Sequence, residues 1–175
     1  MYRTSRISLL AIAAAVLTLA LSSVATAGPL QATAGVRDAN TLAAPLLAKL
    51  NATRRAKGLA PLRRSPALAR AAADHARAMG ERGFFSHSSA DGTSPGARIR
   101  RYYRGSAVGE AILWRSPDVS AAEAIRMWLE SPPHRVILLQ RSFRDVGFAA
   151  VHVENAGGAY GNRSVTIVVA DFGVR

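Results

Sequence analysis

Three ionisable side chains of this chain stand where they could do chemistry: His87, Glu110 and His134. An imidazole changes charge near neutral pH, so it can take or give a proton, and its neutral form is a common metal ligand. His134 follows Ser131-Pro132-Pro133 at the end of a helical pattern. Proline removes a backbone donor and pushes the preceding residue out of the helical region. The two prolines therefore predict a stopped helix and a stiff corner carrying His134. That ring is either presented for binding or catalysis, or merely bonded to a carbonyl at the helix end. His87 lies in Phe84-Phe85-Ser86-His87-Ser88-Ser89-Ala90-Asp91-Gly92-Thr93, where two aromatics can bury and anchor one end and the remainder is polar turn chemistry. Glu110 heads Ala111-Ile112-Leu113-Trp114. A carboxylate in such apolar company needs a partner; histidines or a metal ion would serve.

The elements that must position these groups read clearly in places. A first helix over Ala44 to Lys57 carries Leu46, Leu47 and Leu50 on one stripe, and Gly58 ends it. Ser65 as N-cap with Pro66 in the first turn predicts a second helix. It carries Leu68, Ala72, His75 and Met79 at helical spacing and closes at Gly80 or Gly83. Its alanines predict close packing on a neighbour, and His75 on the apolar stripe reads as a core histidine. Ser94-Pro95 opens a short basic helix to Tyr103 whose Arg98, Arg100, Arg101 and Arg104 read as a solvated face or an anion-binding one. A third helix covers Asp118 to Glu130, with Ser120 and Glu123 spaced as a capping box. Its apolar face holds Ala121, Ala124, Ile125, Trp128 and Leu129. Glu123, Arg126 and Glu130 face solvent, with Ser131 on the border.

Val146 to Glu154 alternates with a period of two, Asn155 to Asn162 supplies a glycine-rich connection, and Val165 to Phe172 returns. His152, mid-strand with no acidic neighbour in sequence, reads as structural. Gly157-Gly158-Ala159-Tyr160-Gly161 lacks the lysine and the following helix of a phosphate loop. Asn51-Ala52-Thr53 and Asn162-Arg163-Ser164 match the glycosylation pattern, a frequent chance match. Helices first and an antiparallel hairpin last imply an α+β layered domain.

Residues 1–27 have the layout of a secretory signal peptide: Arg3 and Arg6, the apolar run Ile7 to Leu21, then Ala25-Thr26-Ala27 before a cut at Gly28. The apolar run is about 15 residues, short of the ~20 that a spanning helix needs, so no transmembrane segment is expected after cleavage. Residues 28–41 read as a flexible leader and residues 42–175 as one domain. Of 175 residues none is cysteine, which removes thiol nucleophiles, thiolate metal sites and disulfides. The net charge of +12, or +10 without Arg3 and Arg6, comes almost wholly from arginine. An exported protein so charged is drawn to an anionic envelope polymer or lipid, and its address sets nucleic acid aside.

In order along the chain, these pieces resemble the CAP superfamily of cysteine-rich secretory, antigen 5 and pathogenesis-related proteins, in its bacterial SCP-like branch. The resemblance is carried by Asn51-Ala52-Thr53-Arg54 with Gly58-Leu59-Ala60-Pro61-Leu62, the Leu68 to Met79 helix, and Phe85-Ser86-His87 with Asp91-Gly92. It continues through Gly109-Glu110-Ala111-Ile112, Trp128-Leu129-Glu130-Ser131-Pro132-Pro133-His134-Arg135, Val146-Gly147 and Asp171-Phe172-Gly173. It implies a three-layer α-β-α sandwich with a small antiparallel sheet and a cleft holding His87, Glu110 and His134. Where related chains carry a second acid this one has Ser131, a cleft-lining position; Ala111 and Ile137 stand where asparagine is frequent. Two imidazoles and a carboxylate from three segments match the donor set that holds zinc with an open fourth position. The expected role is an envelope-binding module whose cleft holds Zn or another divalent metal or a small ligand. The alternative is a metal-assisted hydrolase in which Glu110, His87 and His134 would be the catalytic residues. Against the latter, no Gly-x-Ser-x-Gly nucleophile is present.

Overall fold

The computed structural model describes residues 35–175. The signal peptide expected over residues 1–27 and the leader up to residue 34 lie outside the described residues. Helix α1 spans Ala43–Ala56, with Leu46 and Leu50 wholly buried and Gly58 at a left-handed φ of 65° just beyond. Helix α2 spans Pro66–Arg82. The Ser65 hydroxyl accepts from the Leu68 N–H, Pro66 takes the first turn, and Gly83 closes the helix at φ 66°. Helix α3, Pro95–Arg100, is capped by Ser94 and is shorter than its basic run. Helix α4, Ala121–Glu130, starts where Ser120 accepts from the Glu123 N–H at 3.1 Å. Its outer side carries an Arg126–Glu130 pair at 2.8 Å.

The corner expected after α4 is instead the start of helix α5, Pro132–Leu138. Both prolines sit in its first turn, where their missing N–H groups would have had no helical partner. They end one helix and begin the next, and His134 rides on α5 rather than on a loop.

The sheet contains β1 (Val36–Asp38), β2 (Arg63–Arg64), β3 (Ala107–Arg115), β4 (Asp145–Ala156) and β5 (Arg163–Val174), in the order β1-β4-β5-β3. Neighbours along that path are antiparallel, and β2 pairs in parallel with the start of β4. Strand β4 is irregular between Val153 and Ala156, where Asn155 takes a φ of 51°, and the connection to β5 ends at Asn162, at φ 57°. Strand β1 corrects the leader expectation: Val36 to Asp38 pair with Val153 to Val151. Nothing local marks those residues as a strand, because the partner lies more than a hundred positions away.

One sheet face is covered by α1, α4 and α5, with Leu46, Leu50 and Trp128 packed against Phe148 and Val168. The other is covered by α2, whose Ala72, Ala76 and Met79 meet Val151, Val153, Ile167 and Val169. This is the expected three-layer α+β arrangement, and it buries both faces of the central hairpin. The close approach predicted from the alanines of α2 is real. A Cβ added at Gly147 would lie 2.0 Å from the Ala69 backbone nitrogen. Asn51 is buried and its side chain exchanges hydrogen bonds with the Leu62 backbone, so this glycosylation match is structural. Among the described residues, no helix is long and apolar enough to cross a membrane.

Candidate functional site

Strand β3 places Glu110 on the α2 side of the sheet, in register with Asp171 of β5. The Glu110 carboxylate is buried, and both its oxygens are taken. One lies 2.8 Å from His87 Nδ1; the other accepts from Arg98 Nη2. Sequence reading left histidines or a metal as partners for this acid; an arginine shares the role. Arg98 was expected on a solvated or anion-binding face, but it is the buried side of α3. Its Nη1 also donates to the His87 carbonyl at 2.9 Å and to Ser89 Oγ at 3.3 Å. The same guanidinium thus holds the carboxylate and the loop that carries the histidine.

That loop is pinned from beneath by His75, whose Nε2 lies 2.9 Å from the Ser86 carbonyl. A carbonyl only accepts, so Nε2 carries the proton. Nδ1 is then a lone pair, buried without a hydrogen-bond partner. Burial is the main force lowering the His75 pKa, with Arg98 and His87 opposing the pull of Glu110, so the ring is held neutral. His75 is a core histidine, as its place on the apolar stripe predicts, and it also fixes the site loop. Of the two anchoring aromatics, Phe84 is packed on the core and its carbonyl accepts from the Tyr160 hydroxyl at 2.7 Å. Phe85 is the more open of the two, 36% exposed.

Helix α5 brings His134 to the His87 ring, centroid to centroid 6.0 Å at an interplanar angle of 47°. Its position is set by Ile137, one turn on, whose Cδ1 lies against Gly109 of β3. Burial, and secondarily the neighbouring His87, lower the His134 pKa. Ser131 joins α4 to α5, half-buried; its carbonyl accepts from the Arg135 N–H at 2.9 Å and its side chain makes no cap bond. Ala111 is wholly buried in the core between sheet and helices.

His87, Glu110 and His134 do converge, but not as three donors around one point. Among the described residues no three His, Asp or Glu side chains are arranged to hold a metal ion. Glu110 stands behind His87 and orients it. With Nδ1–H directed at the carboxylate, a neutral His87 turns its Nε2 lone pair outward, as second-shell carboxylates make ligating or basic histidines do. The side chain of His87 is 48% exposed while that of Glu110 is 2% exposed. The pair is therefore a solvent-facing base or ligand resting on a dry acid.

Sequence reading missed Asp171. It is wholly buried, with both carboxyl oxygens lacking a hydrogen-bond partner, and burial followed by the Glu110 charge raises its pKa well above the carboxylate range. A lone acid in the apolar run Val165 to Phe172 was the available signal, the same one that singled out Glu110. His152, read as structural, lies 3.2 Å from Asp118 and 3.4 Å from Glu154, far from the His87 cluster along the sheet.

The family model described as CAP, cysteine-rich secretory protein family, matches residues 47–172. The chain belongs to this family. The CAP match spans α1 through β5 and includes every residue of the histidine cluster. Among solved structures, an extracellular SCP-domain protein of Bacillus anthracis aligns at TM-score 0.63 and 24% identity, covering 78% of this chain and 41% of that one. An outer surface protein of Borrelia burgdorferi aligns at 0.58 and 22%, covering 74% and 90%. A cysteine-rich secretory protein of Staphylococcus aureus aligns at 0.54 and 19%, covering 77% and 38%. At these identities the likeness establishes the CAP fold. The chain spans well under half the length of the Bacillus and Staphylococcus proteins. No curated protein matches it.

Proposed function

We propose that this CAP-domain protein is exported and acts as a binding module at the cell envelope, its cleft taking a divalent metal or a small ligand between His87 and His134. The observation that carries this reading is the His87–Glu110 contact of 2.8 Å beneath an exposed ring that faces a second imidazole at 6.0 Å. Export is supported by the signal-peptide layout of residues 1–27 and by the extracellular or outer-surface descriptions of similar structures. The arginine-rich charge supports attraction to an anionic envelope polymer or lipid.

The donor set fits a metal in one way only. The two imidazoles would hold it, and Glu110, with both oxygens engaged, would set the orientation and basicity of His87. Arg98 beside Glu110 disfavours a cation placed directly on the carboxylate. Such an ion would supply Lewis acidity in a site with open positions. Zinc titration by calorimetry tests the reading: saturable binding should weaken in both His87→Ala and His134→Ala. Unchanged affinity in both variants would reject the two-imidazole site.

The oriented His87 also supports a second reading, general-base hydrolysis of an envelope component. Purified protein with and without metal should then turn over peptidoglycan, peptides or lipid esters, and Glu110→Gln should abolish that turnover. Hydrolysis that survives the substitution clears Glu110 of the role.

A further inference from the structure

Charge is segregated along the strands of the sheet. From Asp145 to Glu154, β4 runs about 30 Å at roughly 3.3 Å per residue. At its far end the acids Asp118, Glu123 and Glu154 are matched by His152, Arg115 and Arg37. At its near end the Arg144 N–H donates to the Gly173 carbonyl, the Arg63 N–H to the Arg144 carbonyl and the Ser106 N–H to the Val174 carbonyl. Residues 63–64, 104–107, 140–145 and 173–175 therefore meet at one end of the molecule. They contain a single acidic side chain, Asp145. It is buried and already engaged, by Arg63 at 3.1 Å, Arg175 at 3.7 Å and the Tyr103 hydroxyl at 2.7 Å.

The other cations at this end have no acid to answer them. Among the described residues Lys57, Arg104, Arg141 and Arg144, all exposed, have no carboxylate within ion-pair distance. Two guanidinium groups are held by carbonyls, which satisfy N–H donors without cancelling the charge. Arg144 Nη1 donates to the Arg141 carbonyl at 2.6 Å and the Phe143 carbonyl at 3.0 Å. Arg54, wholly buried at the end of α1, donates to the carbonyls of Ala60, Leu138 and Gln140. Burial and then the charge of Arg144 lower the Arg54 pKa, so the field of one cation reaches the next.

We propose that this end of the sheet docks on a linear polyanion of the cell envelope, a polymer with a phosphate or carboxylate at each repeat. A guanidinium fork matches either oxyanion. Cations spread over four segments suit a repeating charge better than a single head group. Docking on a bilayer uses Trp, Phe or Leu beside the basic residues. None of these segments exposes a large apolar side chain, which favours the polymer. The surface rests on the export reading for where its partner is met, and not on the histidine cleft.

Calorimetric titration of purified protein with oligomers of poly(glycerol phosphate) and of polygalacturonate tests the assignment, the tighter of the two naming the group. Affinity should fall steeply between about 50 and 200 mM salt as counterions are released. Arg104→Glu with Arg141→Glu should weaken binding about thirtyfold, two contacts of about fivefold each. Neither side chain makes a hydrogen bond or ion pair among the described residues, so the melting curve should hold. Lys57→Glu, from another segment, should weaken binding about fivefold by itself. Arg82→Glu with Arg163→Glu gives the same net charge but lies by the β4–β5 connection, about 30 Å away and several screening lengths off at physiological salt. That control should bind like the parent, as should His87→Ala with His134→Ala. The proposal is overturned if neither oligomer binds, if the two arginine double variants weaken binding alike, or if the histidine variant loses it. It is also overturned if anionic vesicles or a DNA duplex bind more tightly than both oligomers. Fractionation of producing cells tests the export reading separately, so that either can fail without the other.

Discussion

Glu110 and Asp171 sit opposite one another on neighbouring antiparallel strands, both buried, and only Glu110 has its oxygens satisfied. Two carboxyl groups so close in a dry environment do not both ionise readily. Arg98 pairs with Glu110, so the charge belongs there and the proton belongs on Asp171.

Asp171→Asn should therefore stabilise the protein at neutral pH. Folded Asp171 holds its proton more tightly than the unfolded chain does, because burial and Glu110 raise its pKa. Its favourable contribution is complete below the unfolded value and is lost as pH rises through the folded one. The variant should exceed the parent in urea unfolding at pH 7, and the gap should close by pH 4. An equal gap at both pH values would show that Asp171 carries no excess proton.

Arg98→Met should cost about 3–5 kcal/mol, the loss seen when one partner of a buried ion pair is removed. Glu110 would be left as an uncompensated charge, and the His87 carbonyl would lose its donor. Denaturant unfolding measures the first effect; hydrogen exchange across residues 86–90 measures the second. A loss below about 1 kcal/mol, the scale of exposed pairs, would place Arg98 on the surface after all.

Gly147→Ala should destabilise by at least about 3 kcal/mol, at or beyond the top of the usual overpacking range. The new methyl would meet backbone atoms of Leu68 and Ala69 at 2.2 Å and 2.0 Å, and no side-chain rotation relieves that. A thermal melt within a degree or two of the parent would contradict the tight seat of α2 on β4.

Helix caps were legible because they are local. Ser65, Ser94 and Ser120 each accept from a backbone N–H three residues on, within one turn of chain. The hairpin was legible for the same reason, its period of two and its glycine-rich turn being contiguous. Pro132 and Pro133 misled, because proline stops a helix and starts one by the same chemistry, and only the placement of α5 on β3 chooses between them. Val36 to Asp38 were unreadable as a strand because their hydrogen bonds go to a distant partner.

The candidate site divides in the same way. Residue types and apolar context singled out His87, Glu110 and His134, and their order along the chain carried the family resemblance. Chain order says nothing about which atoms meet. The fold decided that Arg98 turns inward to Glu110, that His75 holds the Ser86 carbonyl, and that Asp171 stands unpartnered beside them. Periodicity and capping act over a few residues and are written in the local sequence. Charge pairing in a buried site acts through space between segments tens of residues apart, so it exists only once the sheet and its two helical layers have closed around it.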